Sequence, residues 1–202
     1  MSNGAPIDKV IAAIKEVLSS PEATLDQKKR TIFFLSHSKR ASATAALHEA
    51  LNDSTREVQI SAAAALLQRN DTTGLGVAKE TLLHGSQITS TELRQNLIYA
   101  IAEGIKDPKA LPTVGELLVS PDAEVRRAVA SSLMHIRSPE AIKLMISLLD
   151  DSDFEARYYA VVGLAETTDQ MDWRPNMDNF RGDESKYLKH WLDWKIPTEN
   201  QQ

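Results

Sequence analysis

Apolar residues recur along this chain at the three-and-four spacing of an α-helix, and the helical blocks that they mark repeat. Ile142, Met145, Ile146, Leu148 and Leu149 form one apolar face, and Ala156, Ala160, Val161, Leu164 and Ala165 form a second. The polar cluster Asp150-Asp151-Ser152-Asp153 separates the two. The preceding block has the same order: Pro108 and Pro139, Leu118 and Leu149, Arg126 and Arg157, and Leu133 and Leu164 are each 31 residues apart. Two helices per period of this length predict a repeat array, in which no unit buries its own apolar face and neighbours stack to do so.

Boundary residues place the helices. Ser138 followed by Pro139 reads as an N-cap with proline at the first helical position, where its missing N–H is harmless. Asp153 is placed to cap the second helix of that pair. One unit earlier, Asp107-Pro108 opens the first helix and Ser120-Pro121-Asp122 makes the turn. Val125, Val129, Leu133 and Ile136 are then the buried side of the second helix. Pro112, at the edge of the first turn, is expected to bend its helix slightly. Earlier units align through their leucines: Lys79–Leu83 with Leu93–Ile105 around a longer loop at Ser86–Ser90, Ala41–Leu51 with Val58–Leu67, and Ile7–Leu18 with Leu25–Leu35. Thr24 and Gln27 form a capping box before the last of these. The alanines 62–65 suit close helix approach. About five pairs cover residues 6–168.

After Thr168 the pattern breaks, and eight of the eleven aromatic residues fall between Phe154 and Trp194. A stack must close its last apolar face, and aromatic rings cover much area per residue. Residues 169–197 therefore read as a C-terminal cap continuous with the array. Trp173 and Phe180 are expected in an extended wrap, with Pro175 and Gly182 as breakers. A last helix over Glu184–Lys195 groups Tyr187, Leu188, Trp191 and Trp194. At the other end, Ile7, Val10 and Ile14 are expected to form an exposed face available to an oligomer contact.

Composition narrows the function classes. The chain has 202 residues, no cysteine and a net charge of −5. Thiolate metal sites, disulfides and cysteine nucleophiles are excluded, and an acidic balance argues against nucleic acid. No apolar run is long enough to span a bilayer, and residues 1–20 lack a signal peptide's apolar region. A cytoplasmic location is the default expectation, with export requiring a signal ahead of the sequence given. The five histidines lack metal spacing, Gly74-Leu75-Gly76 follows no strand, and no nucleophile elbow occurs. We expect no cofactor, no metal and no catalytic residue.

The motif Asp-x-x-Val-Arg, then alanines and a leucine, then Pro-x-Ala-Ile/Leu, resembles the short HEAT-like repeat of bilin-lyase-type proteins. The match is strongest over Asp107–Thr168 and weaker toward the N-terminus. The resemblance implies an all-α, right-handed α-α superhelix, an armadillo-like HEAT solenoid, whose second (B) helices line the concave side. It also implies that Asp122 and Asp153 cap B helices while Arg126 and Arg157 reach carboxylates in a neighbouring unit's loop. His48-Glu49 is a single step of the kind that HEAT-type hydroxylases need several of to hold iron.

With Val125, Val129 and Leu133 buried, Arg127, Ser131 and His135 share another face of the same helix. The register implied by the resemblance adds Tyr158, Tyr159, Val162 and Glu166 in the next B helix. In the earlier ones it adds Gln95, Asn96, Tyr99 and Glu103; Ile60, Ser61, Ala64 and Gln68; and Lys29, Arg30, Phe33 and His37. Tyr158-Tyr159 beside Arg127 is the favoured contact patch, and two readings of it stay open: both rings are available, or Tyr158 packs under the cap. The expectation is a non-enzymatic scaffold that binds a protein or peptide on its concave B face, with no nucleic acid or membrane partner. A bilin-lyase-like accessory role in chromophore or protein modification is the alternative, and groove binding of nucleic acid a weaker one.

Overall fold

The computed structural model describes residues 4–84 and 90–194, with side chains from residue 9 onward. The side chain of Ile7, the loop at 86–89 and Lys195 lie outside the described residues. Twelve α-helices and no strand occur among the described residues. They pair as α1 (Gly4–Ser19) with α2 (Leu25–Ser36), α3 (Ala41–Ala50) with α4 (Arg56–Gln68), and α5 (Leu75–His84) with α6 (Thr91–Gly104). Then follow α7 (Leu111–Glu116) with α8 (Ala123–Met134), α9 (Pro139–Ser147) with α10 (Phe154–Thr167), and finally α11 (Met177–Gly182) and α12 (Glu184–Asp193). This is an α-solenoid. It divides into two compact units, Met1–Ile105 and Lys106–Gln202. In the first, α4 packs against both α2 and α6; in the second, α8 packs on α10.

The expected caps form. Thr24 and Gln27 close a capping box on α2. Ser138, Asp122 and Asp153 accept from the backbone N–H of Ala141, Glu124 and Ala156 at 3.1, 2.9 and 2.9 Å. Val125, Val129, Leu133 and Ile136 are buried on α8, as are Ala156, Ala160, Val161, Leu164 and Ala165 on α10. Pro112 does more than bend its helix. Lacking an N–H, it cannot close an α-type bond to Pro108, and residues 108–110 are a 3-10 turn ahead of a short α7. On α1 the buried positions are Ile11 and Leu18, with Ile14 half-buried against the core. Of the face expected to be exposed there, Val10 is exposed and Ile14 is not, among the described side chains.

The residue four places after the B-helix cap ties the pairs together. Lys28 on α2 donates to Asp53 Oδ2 at 2.7 Å, across the loop between α3 and α4. Gln59, on α4, donates to the carbonyl of that same Asp53 at 2.7 Å. In the second unit, Arg126 Nε and Nη2 donate to Asp151 Oδ2 and Oδ1 at 2.7 and 2.8 Å, while Arg157 Nη1 donates to the Asp151 carbonyl at 2.6 Å. Each loop aspartate is thus held on its carboxylate by one B helix and on its carbonyl by the next. Arg157 Nε continues to Glu184 Oε1 at 2.5 Å, at the start of α12. The loop-carboxylate contact that the resemblance implied is observed for Arg126, whereas Arg157 takes a loop carbonyl and a carboxylate at the start of α12.

The C-terminal segment closes the second unit, although not as an extended wrap. Residues 171–173 form a 3-10 turn and Phe180 lies in α11, because Asn176 and Asp183 each supply a helix cap. Phe180 packs against Phe154, Tyr158 and Tyr187 at ring separations of 5.2, 5.6 and 6.0 Å. Trp191 is fully buried. Trp173 stacks on His190 at 3.7 Å with the rings 5° from parallel. Burial pushes the His190 imidazole below its ordinary pKa, against the pull of Asp193.

Close approach explains Gly104. A Cβ at Gly104 would lie 2.1 Å from the Leu67 carbonyl oxygen and 2.5 Å from its carbon, so α6 touches α4 backbone to backbone. We expect Gly104→Ala to destabilise the protein by about 1–3 kcal/mol in urea unfolding. Gly76→Ala, in the same unit but with open space around it, should be stabilising by up to about 1 kcal/mol through helix propensity. Equal effects from the two would contradict this packing.

The loop aspartates also set an acid limit. Arg126 holds the Asp151 carboxyl below its usual value, against the opposing effect of burial. Burial raises that of Asp53, but hydrogen bonds from Lys28 and Thr55 outweigh it and the net shift is downward. Asp153 is lowered to about 2, chiefly by Arg127. Stability from these groups is complete above an unfolded-state pKa near 4 and is lost as pH falls through the lower folded values. Thermal midpoints should therefore fall steeply from about pH 4 toward pH 2. Asp151→Asn should be less stable at neutral pH and show a shallower acid slope.

Candidate functional site

The B helices of the first unit enclose a groove of about 440 Å³. Its floor is α4, with Ile60, Ser61, Ala64, Ala65 and Gln68. One wall is α2, with Asp26, Lys29, Arg30, Phe33, Ser36 and His37, and the other is the start of α6, with Glu92, Leu93 and Asn96. Small floor residues follow from packing: α4 has a neighbour on either side, and alanines at 62–65 let α2 and α6 come close. α2 carries aromatic side chains that stay largely in solvent. Phe33 is 69% exposed and Phe34 52%. Tyr99, two turns along α6 from Glu92, is 60% exposed.

The charges around this groove are loosely engaged. Lys29 Nζ lies 3.7 Å from Glu92 Oε2, spanning the two walls, and Arg30 pairs with Asp26 within α2 at 2.9 Å. Exposed pairs of this kind contribute roughly 0–1 kcal/mol. His37 Nδ1 sits 2.8 Å from the Phe33 carbonyl, and its ring rests 4.5 Å from the Phe33 ring, propping that side chain. At the far end of α2, Arg69 bonds the carbonyls of Leu35, Ser36 and Ser38 and caps the helix's C-terminal oxygens. Nothing in the repeat pattern marked Arg69 for that task.

The residues of the sequence-derived strip lie as follows. Gln95, Tyr99 and Glu103 are exposed on α6, and Asn96 lines the groove wall. Lys29, Arg30, Phe33 and His37 share the α2 wall, and Ser61, Ala64 and Gln68 the floor. Ile60 and Ala64, at 2% and 6% exposure, line that floor but present little surface of their own. In the second unit Ser131 is half-buried and His135 exposed on α8. Val162, expected beside them on α10, is buried.

The favoured patch around Arg127 is largely internal. Arg127 Nε and Nη2 donate to Asp153 Oδ1 and Oδ2 at 2.8 and 2.7 Å, and Nη1 lies 3.0 Å from Glu155. Glu166 accepts from Arg174 at 2.6 Å. Tyr158 lies against Phe180 of the cap and also against Tyr159, whose ring is 5.6 Å away; both tyrosines are half-buried. The missed signal was spacing: Arg127 follows Arg126, which reaches the Asp151 carboxylate, and Asp153 lies two residues beyond Asp151. Groups that metal or acid–base chemistry would draw on are engaged likewise, His48 with Asp71 at 2.7 Å and Glu49 with Lys15 at 2.6 Å. No cluster of metal-binding side chains occurs among the described residues.

Residues 80–165 match the HEAT repeats family. A crystal structure titled as that of an engineered protein from a structural genomics consortium aligns at 19% identity, covering 90% of this chain and 95% of its own, with a TM-score of 0.49. No curated protein matches. Over residues 80–165 the chain is thus similar to HEAT repeats, and the helix-pair pattern continues outside that stretch among the described residues.

Arg127 and Phe33 should separate structural from surface roles. Arg127→Ala should destabilise the protein by about 1–3 kcal/mol, since it strips the charged partner from Asp153. Phe33→Ser should leave the unfolding midpoint within about 0.5 kcal/mol of wild type. A neutral Arg127→Ala would show that the pairing is dispensable.

Proposed function

We propose that this chain is a non-enzymatic scaffold that binds a protein or peptide partner on the faces of its B helices. The observation that carries the reading is the pair of aromatic side chains, Phe33 and Tyr99, left mostly in solvent on a face with an alanine-rich groove. Large aromatics held by a rigid scaffold lose little entropy on binding and dominate interface energetics. The groove is preformed by helix packing, so a partner docks without reordering it. Gln95 and Glu103 flank Tyr99 as polar rim, and in the second unit exposed His135 with half-buried Ser131, Tyr158 and Tyr159 supplies a secondary contact surface. The net charge of −5 and the paired state of Arg30 and Lys29 favour a protein partner over a polyanion.

The test uses Phe33→Asp/Tyr99→Ala, which leaves Arg127 and the loop aspartates in place. Proteins captured on immobilised wild type from a lysate of the source cells are identified, purified and titrated against both forms. The expected result is a partner whose affinity falls at least about tenfold for the variant, with helicity and melting unchanged. A partner that binds both forms equally would place the working surface elsewhere and overturn the reading.

A further inference from the structure

We propose that the groove over α2, α4 and α6 takes an amphipathic α-helix of the partner, with acidic residues along one edge and basic residues along the other; this rests on the B-face reading above. The floor decides between a helix and an extended strand. Ile60, Ala64 and Ala65 offer no side-chain hydrogen bond, and Ser61, whose proton goes to the Glu57 carbonyl at 2.8 Å, has only an acceptor left to give. An extended chain brings a backbone N–H and C=O at every residue, and each one pressed onto this floor loses water without gaining a partner. Among the lining residues the amides are Gln68 and Asn96, on different helices, too few to serve as a ladder. A helix satisfies its backbone internally and asks the floor only for apolar contact. Small residues at 61, 64 and 65, spaced three and four apart, let a cylinder settle close to α4.

The rims fix the chemistry of its edges. Lys29 and Arg30 stand on the α2 side, and Glu92 stands on the α6 side. Their present partners are exposed and weak: Arg30 with Asp26, and Lys29 with Glu92 across the gap at 3.7 Å. A docking helix parts the Lys29–Glu92 contact and returns to each group an opposite charge from its own edge, while its apolar face meets Phe33 and the floor. The occupant is therefore read as apolar at i, i+4 and i+7, acidic on the flank toward α2 and basic on the flank toward α6.

The test presents a display library of random peptides of about 16 residues, four or five helical turns, to the full chain and in parallel to Phe33→Asp. Peptides enriched on wild type alone are synthesised and titrated by fluorescence anisotropy, with circular dichroism on mixing. The expected peptides carry apolar residues at i, i+4 and i+7, gain helical signal on binding, and lose at least about tenfold in affinity when proline is placed mid-sequence but not at the first position. Selection on Lys29→Glu should lose the acidic edge and favour basic residues on both. Phe33-dependent peptides that tolerate a central proline, or whose apolar residues alternate, overturn the helical occupant and leave the B-face reading standing. Finding no Phe33-dependent peptide overturns both.

Discussion

Asp53 and Asp151 are the points on which each unit's geometry depends. Each is gripped twice, by a cation of one B helix at its carboxylate and by the following B helix at its carbonyl. A side chain that joined only adjacent surfaces would permit sliding. A loop residue clamped from two helices fixes their register and spacing together. Burial makes the clamp consequential: the side chains of Lys28 and Asp53, like those of Arg126 and Asp151, are about nine-tenths buried. Loss of one partner would strand a charge in a poorly hydrated site. In the first unit the same clamp sets α2 against α4, and hence Phe33 beside the alanine floor.

Much of this was legible because caps and loops obey local chemistry. Ser138, Asp122, Asp153 and Thr24 act through the nearest few backbone groups, so sequence spacing alone locates them. The 31-residue period likewise exposed Arg126 and Arg157 as equivalent. Gln59 occupies the same place after the cap and performs half of the same task, but its uncharged side chain hid the equivalence.

Other features depend on how many neighbours a helix has, which a single-helix pattern does not report. Ile60, Ala64 and Val162 share the register of exposed residues elsewhere, yet they are buried. α4 lies between two B helices, so a wide arc of its surface is covered. α10 meets both α8 and the cap helix α12. Phe33 is the converse case. Its position on α2 reads as an ordinary apolar one, yet it stands in solvent on the groove wall. Arg69 escaped notice because most of its acceptors, more than thirty residues away, are backbone carbonyls that no residue type advertises.

The two units put one helix-pair design to different uses. On the B face of the second, the polar and aromatic groups are engaged by their neighbours: Arg127 by two carboxylates, Glu166 by Arg174, and Tyr158 by the cap's Phe180. Such contacts stiffen a surface, and a partner would have to break them to use the same atoms. On the B face of the first, the ion pairs are exposed and weak, and the aromatic groups have water over most of their area. Exchange of water for a partner's apolar atoms is favourable there, and exchange of one exposed ion pair for another is nearly neutral. Between two faces of similar composition, the one whose side chains have less to give up is the better binding surface, and that face belongs to α2, α4 and α6.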